Sequence, residues 1–487
     1  MEFAGYAIIA AFMAASLMLV RSGYERYLGL VFIIRSSHGI RVIDSIAKFK
    51  PRFWQFLADF SVFISFGGMG AYYLSLRTET KKNLPRSVLL GGVLFAAVAL
   101  FLQNPEYAFA SLVLASAMAF FLPRIDSPWL TFASTVVLFY VSSTMVLGKL
   151  ASVLIGVFGL PSLMVYLMAS HGMEIMFGKT DLPGVSPLMP SSRGGNVGVS
   201  FPGYDLFIPW WYAIIALAVT LVSHEASHGI LTRVAGVRLK STGLLSVLAL
   251  PIGAFVEPDE EELERKTTVD RMRVFTMGSF ANLVAGSSAV VLIIALTTLF
   301  AGVVYSDGMQ VIGLIEGYPA DGVIPEGSVI YSVNGFPTTD LDLFRNSTAN
   351  LEPGDTAVVN ASTGVYELTL AHNPEEPGRG YLGVYILENM RVSGKAGVFL
   401  SIPVMSFIIN TLVWIAFFNV NIALVNLLPV IPFDGGRMLK EFVSTLRVSQ
   451  VSIDRVLYTM VGLMILLLLV NVIPLVKMTY YFFTGLF

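Results

Sequence analysis

The chain has 487 residues, of which 55% are hydrophobic and 13% are charged, and its mean hydropathy is +0.73. This balance excludes an ordinary soluble globular protein, whose surface needs more charged groups. A net charge of −2 argues against a nucleic-acid partner, and the absence of cysteine excludes thiolate metal sites, disulfides and cysteine nucleophiles. Any metal ion must therefore be held by histidine and carboxylate groups.

Long apolar runs follow one another along most of the chain. A helix needs roughly 20 residues to cross about 30 Å of hydrocarbon. The runs that approach this length are 3–20, 53–74, 87–102, 106–122, 127–148, 150–170, 207–232, 274–301, 398–428 and 455–475. They predict a polytopic α-helical membrane protein with about ten spans. Because basic residues follow the first run and none precedes it, that run is expected to be a retained anchor rather than a cleaved signal peptide.

Residues 1–175 are interpreted as an N-terminal transmembrane anchor region. It is interrupted by a basic stretch that contains Arg35, Arg41, Lys48, Lys50 and Arg52. Within this stretch helical spacing relates four apolar positions, which are Ile40, Ile43, Ile46 and Ala47. The pattern predicts that part of the stretch is an interfacial helix.

Residues 176–206 are rich in proline, glycine and serine and are expected to form a loop before the next span. This pre-core loop is either a plain connector or a lip over a site.

The run LVSHEASHGI places two histidines four residues apart. On a helix, His224 and His228 lie on one face about one turn apart and can share one zinc ion, Zn²⁺. Glu225 is then beside the metal, where its carboxylate can take a proton from an activated water and pass it to a leaving amine. Ionisable groups at membrane depth cost about 2.5 kcal/mol or more, and a bound cation is a direct reason to tolerate them.

Two histidines leave a catalytic zinc ion one protein ligand short. The best candidate is Asp434 in NLLPVIPFDGG, where prolines and glycines interrupt an apolar run and can turn a carboxylate inward. The alternative for Asp434 is a turn or helix cap outside the bilayer. Asn426, at the head of the motif, could equally be a buried amide bonded to a neighbouring helix.

Three segments in this order resemble the site-2 protease family of intramembrane zinc metalloproteases. They are HEASH at 224–228, GSFAN at 278–282 and NLLPVIPFDGG at 426–436. The segment GLLSVLALPIGAFVEPDEEEL at 243–263 adds to the match, which covers roughly 180–460 and looks closest to long archaeal members. Similarity is weaker around 29–60.

The resemblance implies that His224, His228 and Asp434 bind the zinc ion and that Glu225 is the general base or acid. It implies that Asn426 helps to bind or polarise the scissile carbonyl, as oxyanion donors do. Asn282 would support the site from the neighbouring helix, and a small-residue packing role is equally plausible. Family members often have proline where this chain has Ile431, which affects only the expected shape of the loop.

Residues 302–390 contain 12 acidic residues against two arginines, and their apolar runs are short and punctuated by glycine and proline. They predict a small, mostly β module. The segments GYPADGVIPEGSVIYSVNG at 317–335, LEPGDTAVV at 351–359 and GYLGV at 380–384 resemble an inserted PDZ-like domain. Such a domain could filter out bulky ectodomains, capture peptides at a sheet edge or act only as a structural cap, and we favour the filter.

The distribution of basic residues orients the second half of the chain. The stretch 233–273 is rich in lysine and arginine, so it is predicted to be cytoplasmic and the PDZ-like domain extracytoplasmic. We expect a multi-pass protein of the cell membrane with its active site toward the cytoplasmic side. The remaining segments are core spans at 207–301 and 391–440 and C-terminal spans at 441–487.

The predicted function is hydrolysis of peptide bonds within the transmembrane segments of single-span membrane proteins that an earlier cleavage has trimmed. Helical substrates must be unwound first, and the segment 241–256 is a candidate edge for pairing with the unwound strand. Two alternative hypotheses remain: a catalytically inactive relative that binds membrane proteins, and a metal transporter. Transporters usually show repeated halves, and the sequence contains no second copy of HEASH or NLLPVIPFDGG.

Overall fold

A computed structural model describes residues 14–27, 31–247, 250–374, 376–393, 401–446 and 448–485. Residues 3–13 of the first predicted run lie outside these ranges. The chain divides into two compact units, one formed by Met1–Val290 with Thr411–Phe487 and the other by Val291–Asn410.

The helices account for most of the chain, and residues 14–21 are also helical. In chain order they are α1 (His38–Lys48), α2 (Pro51–Ser75), α3 (Thr78–Lys81), α4 (Leu84–Phe101), α5 (Pro105–Phe121), α6 (Pro128–Phe158), α7 (Leu160–Met176), α8 (Trp210–Val234), α9 (Glu260–Glu264), α10 (Thr268–Ala301), α11 (Leu341–Thr348), α12 (Ile402–Asn426), α13 (Asp434–Thr445) and α14 (Gln450–Thr484). Among the described residues seven helices are long and apolar enough to cross a membrane: α4, α5 with the turn that follows it, α6, α8, α10, α12 and α14. A multi-pass helical membrane protein is therefore confirmed, and the figure of about ten spans stays a prediction.

Helix α2 does not run straight through the predicted span 53–74. Gly67 has φ 52° and ψ −126°, which breaks the helix near its middle. Asp59 before the break and Glu79 after α2 both approach Arg273, at 2.7 Å and 3.8 Å. In a straight helix these two acids would be about 30 Å apart. The chain therefore folds back at Gly67, a conformation that glycine adopts without steric cost.

Helix α6 is broken in the same way at Gly148, whose φ is 73°. A Cβ atom on Gly156 would be 2.9 Å from the carbonyl oxygen of Val136, although 20 positions separate these residues. The break falls where the predicted runs 127–148 and 150–170 meet. The second of these runs is divided again at Gly159, between α6 and α7.

A four-stranded antiparallel sheet joins the N-terminal region to the segment after α8. Its strands are β1 (Glu25–Tyr27), β2 (Val31–Ser36), β6 (Leu239–Val247) and β7 (Leu250–Pro258), in the order β1-β2-β6-β7. Strand β2 pairs with β6 from Val31 opposite Val247 to Ser36 opposite Thr242. Strand β7 is thus an edge strand of this sheet.

The predicted loop 176–206 contains regular structure. Strands β3 (Met189–Arg193), β4 (Asn196–Ser200) and β5 (Phe207–Pro209) form a three-stranded antiparallel sheet that ends where α8 begins. The glycine pair at 194–195, with φ 56° and 76°, turns the chain between β3 and β4.

The second unit has its own hydrophobic core and a sheet in the order β12-β11-β9-β8-β15, with β10 paired to β9. These strands are β8 (Val304–Leu314), β9 (Val329–Val333), β10 (Phe336–Pro337), β11 (Thr356–Ala361), β12 (Gly364–Thr369) and β15 (Val384–Val392), and β13 (Ala371–His372) pairs with β14 (Gly380–Tyr381). The buried residues include Val311, Ile330 and Val359. A compact β-rich unit is present, and its PDZ identity stays a prediction.

Two ion pairs, one buried and one partly buried, hold the first turns of α10. Arg273 donates to both carboxylate oxygens of Asp59, at 2.7 Å and 2.9 Å, and these side chains are 8% and 1% exposed. Asn83 also donates to Asp59, at 2.7 Å. Arg271 makes the same two-point contact with Glu441, at 2.8 Å for each bond. Helix α10 is thereby tied to α2 and to α13.

Removing one member of the buried Arg273–Asp59 pair should destabilise the protein strongly. Asp59→Leu removes the two-point partner of the buried Arg273 and leaves only the looser contacts with Glu79 and Asp270, at 3.8 Å and 3.9 Å. We expect this to cost about 3–5 kcal/mol of unfolding free energy. Denaturant unfolding of the purified chain in detergent measures this loss.

The double variant Asp59→Leu with Arg273→Met should regain much of the lost stability, because both charges are then removed together. Asp126→Asn is the matched control, since it breaks the exposed contact with Lys81 and should leave the unfolding midpoint unchanged. Equal effects of Asp59→Leu and Asp126→Asn would contradict a structural role for the buried pair.

Candidate metal centre

Three donor atoms from two distant segments converge on one point. The Nε2 atoms of His224 and His228 are 3.1 Å apart, and they lie 3.3 Å and 3.2 Å from Oδ2 of Asp434. Ligands placed about 2.0–2.1 Å from a tetrahedral zinc ion are about 3.3 Å from one another. The observed triangle therefore has the size that a zinc ion requires, and the donor set of two imidazoles and a carboxylate suits this metal.

The backbone of the NLLPVIPFDGG segment brings Asp434 into the site. Helix α12 ends at Asn426, the chain turns, and α13 begins at Asp434. Cβ atoms on Gly435 and Gly436 would overlap the backbones of Leu427 and Val430, so only glycine fits this close approach. The carboxylate is 8% exposed, and the hydroxyl of Ser279 lies 3.4 Å from its Oδ2.

A backbone carbonyl on α10 fixes the orientation of His228. Its Nδ1 atom lies 2.8 Å from the carbonyl oxygen of Val274. A backbone carbonyl can only accept a hydrogen bond, so Nδ1 carries the proton and the lone pair of Nε2 is free for a metal.

Asn282 has the corresponding place behind His224. It is fully buried, its Nδ2 atom lies 3.3 Å from Nδ1 of His224, and its Oδ1 atom accepts a hydrogen bond from the hydroxyl of Ser223 at 2.9 Å. A metal on Nε2 requires a proton on Nδ1, and that proton needs an acceptor. The oxygen and nitrogen of an amide are interchangeable by a flip, so Asn282 can offer its oxygen to that proton while its NH₂ group faces Ser223.

Gly278 lets both imidazoles lie against α10. A Cβ atom there would overlap Nε2 of His228 and would be 2.7 Å from Nε2 of His224. Glycine at this position is thus a steric requirement of the metal centre.

The donor atoms face a cavity of about 650 Å³. Glu225 and Asn426, the other predicted site residues, both line it. The backbone N–H of Val256 on β7 donates to Oε2 of Glu225 at 3.1 Å. Among the described residues the amide of Asn426 makes no side-chain hydrogen bond, so it is free to contact a bound molecule.

All six predicted site residues thus lie at or beside one cavity, and their chemical roles stay predictions. Sequence reasoning missed three contacts: the Val274 carbonyl, Ser279 and the Val256 N–H. Ser279 could have been found, because it lies three residues before Asn282 and shares its helix face. The two backbone groups carry no signal in the identities of their side chains.

The fold and site define a multi-pass membrane protein with a buried His-His-Asp centre beside a glutamate. The family model described as peptidase family M50 matches residues 212–476, which is more than half of the chain. The chain therefore belongs to this family, the site-2 protease family of metalloproteases.

A relative from Methanocaldococcus jannaschii, described as an uncharacterized protein, is 31% identical over 247 residues. The match covers 49% of this chain and 59% of that protein's length. The similarity extends the family to an archaeal chain and assigns no activity.

The contact of Asn282 with His224 predicts how zinc affinity responds to substitution. Asn282→Leu removes the acceptor for Nδ1–H and should weaken zinc binding about 10–100-fold. Asn282→Asp keeps an acceptor and should retain the affinity. Competition against a chelator, with residual zinc determined by metal analysis, measures both.

Asn471→Leu is the control, because this equally buried amide donates to the carbonyl of Met168 away from the histidines. It should leave zinc affinity unchanged. Undiminished affinity in Asn282→Leu would show that Asn282 does not orient His224.

Proposed function

We propose that the protein is an intramembrane zinc metalloprotease that hydrolyses peptide bonds in the transmembrane segments of other membrane proteins. The observation that carries the proposal is the triangle of donor atoms from His224, His228 and Asp434, with Glu225 beside it on the same cavity. Family membership supports a metalloprotease, and the seven apolar helices support its location in a membrane.

His224, His228 and Asp434 would hold the zinc ion. When bound, zinc supplies a Lewis acid that polarises a carbonyl group and lowers the pKa of water. The contact of His228 with Val274, and the acceptor that Asn282 can offer to His224, would keep both Nε2 lone pairs directed at the point where the three donors converge.

Glu225 carries the proton transfers in this mechanism. Its carboxylate takes one proton from the attacking water as the oxygen adds to the scissile carbonyl carbon. It then gives that proton to the amine nitrogen as the C–N bond breaks. The N–H of Val256 holds the carboxylate in place without blocking its second oxygen.

Asn426 is our candidate for binding the scissile carbonyl oxygen. Its amide lines the cavity at the end of α12 and can donate to the oxygen as negative charge develops there. Such a donor contributes most in a site from which water is largely excluded.

The edge of β7 is the candidate surface for an unwound substrate. The N–H of Val256 points to Glu225 and therefore away from β6. In a strand, residues two apart face the same side, so the N–H and carbonyl of Ala254 also point away from β6. A substrate strand paired along this edge would lie beside Glu225, with its amides satisfied by the protein.

The same proposal has four further parts. The substrate has a single span and has been trimmed by an earlier cleavage. The site lies toward the cytoplasmic side, and the β-rich unit is extracytoplasmic. A substrate that is still attached to a bulky ectodomain would be excluded by a PDZ-like filter. The basic segment 233–273 supports the orientation.

Glu225→Gln tests the catalytic role. We expect it to lower cleavage of a model single-span substrate in liposomes by at least about 100-fold and to retain zinc, because an amide cannot accept the proton. Cleavage and zinc content are measured on the same preparations. Glu260→Gln, which removes another carboxylate of the cavity lining, should keep both.

Equal cleavage by wild type and Glu225→Gln would reject Glu225 as the base. If neither the wild type nor any variant cleaves the substrate, the proposal is replaced by one of the two alternatives, an inactive relative or a metal transporter. His228→Ala should lose zinc and cleavage together.

Ala254→Pro tests the strand edge. Proline removes only an N–H that points away from β6, so the sheet should persist while substrate pairing weakens. We expect a severalfold higher KM with unchanged zinc content, and Ala254→Val, which keeps the N–H, should behave as wild type. Identical kinetics for the proline and valine variants would exclude pairing at this position.

A further inference from the structure

Helix α1 has three distinct sectors around its axis. Ile43 and Ala47 are buried against the rest of the protein. A second sector consists of exposed polar and basic residues, which are Arg41, Ser45 and Lys48. A third sector is apolar and exposed, and it contains Val42 and Ile46 at 60% and 37% exposure, continued by Phe49 at 63%.

This arrangement differs from that of a membrane span and of a soluble surface helix. Eleven residues cover about 16 Å, which is too short to cross the hydrocarbon. An exposed apolar sector beside a basic sector is the pattern of a helix that lies in the interfacial plane of a bilayer. Ile46, which sequence spacing groups with Ile43, belongs to the exposed sector.

The charges around the apolar sector have one sign. Arg41, Lys48, Lys50 and Arg52 are all exposed, and none of them forms an ion pair with any residue in the described ranges. The single acid of α1, Asp44, is bound by Arg233 of α8 at 2.5 Å. The surface therefore presents four uncompensated cations next to exposed Val42, Ile46 and Phe49.

Two further features, one hydrogen bond and one exposed side chain, suit a position at the membrane interface. Trp54, at the start of α2, donates its indole N–H to the carbonyl of Ile46 at 3.0 Å. Tryptophan is enriched at the membrane–water boundary. The exposed Phe53 continues the apolar sector into the helix that enters the bundle.

We propose that the surface formed by Arg41, Val42, Ile46, Lys48, Phe49, Lys50 and Arg52 docks onto an anionic phospholipid leaflet. The apolar side chains enter the boundary of the acyl chains, and the four cations contact headgroup phosphates. The partner is the lipid surface itself, at the side of the membrane where α8 ends.

The docked helix also holds the metal-bearing helix. The Cδ1 atom of Ile43 lies where a side chain on Gly229 would stand, next to His228, and Asp44 binds Arg233 one turn further. Helix α1 and the end of α8 therefore form one packed body, so lipid contact on α1 fixes that end of α8 in depth.

The chain has no cysteine, so single labels can be introduced without background. Val42→Cys and Ser45→Cys, each carrying a nitroxide, are placed in the full chain in nanodiscs of phosphatidylcholine alone or with about one third phosphatidylglycerol. Collisions with oxygen and with a water-soluble nickel chelate report depth.

We expect the ratio of oxygen collisions to nickel-chelate collisions to be severalfold higher for the label at Val42 than for the label at Ser45. This ratio at Val42 should increase when phosphatidylglycerol is present. The increase should disappear when Arg41, Lys48, Lys50 and Arg52 are changed to glutamine. It should persist when the same residues exchange lysine for arginine. All four are exposed, so their substitution should leave the fold intact, which thermal unfolding verifies.

A label at Val42 that the nickel chelate reaches freely in both compositions would overturn the proposal and favour a protein partner for this surface. The proposal would also be overturned if the label at Val42 is buried but its depth changes neither with phosphatidylglycerol nor with the glutamine substitutions. Anionic headgroups would then have no part in docking. Neither outcome depends on proteolytic activity, so the proposal and the protease function fail separately.

Discussion

The first turns of α10 position the metal centre, and two arginines paired with carboxylates determine where those turns lie. Arg271 is bound by Glu441 on the helix that begins with Asp434, and Arg273 is bound by Asp59 on α2. The next residue, Val274, accepts the proton of His228, and Gly278 one turn later receives both imidazoles. A buried ion pair adds little net stability compared with a packed apolar pair, but it specifies one register. Here that register aligns the histidines of α8 with the carboxylate of α13.

Local chemical patterns in the sequence were enough to select three donor side chains that the structure brings together. The spacing of His224 and His228 on a helix and the broken backbone around Asp434 are visible in the letters alone, and the structure brings all three donors together. The folding back of α2 and α6 could not be predicted, because a hydropathy run does not reveal that one glycine within it has positive φ. Strand β2 was missed for a different reason: its partner β6 is more than 200 positions away, and an apolar segment such as VFII is equally compatible with a helix.

The pairing of β2 with β6 changes the interpretation of the N-terminal region. Residues 1–175 were expected to anchor the protein, yet they supply β1 and β2 to the sheet whose opposite edge is β7. They also supply Asp59, which holds α10, and α1, which packs on α8. The N-terminal region is therefore part of the scaffold of the site, and changes within it can reach Glu225 through β6 and β7 without any contact with the metal ligands.

The contacts behind the three donor side chains bear on the choice between the proposed protease and a metal transporter. A transporter must release its ion, so its ligands have to exchange between arrangements as the bundle opens and closes. In this protein each histidine is fixed through its second nitrogen, His228 by a backbone carbonyl and His224 by a fully buried amide. Asp434 is fixed by glycine contacts with the backbone of its own loop. Moving any one donor away would break a buried hydrogen bond or a close-packed turn, which favours the proposed protease over a transporter.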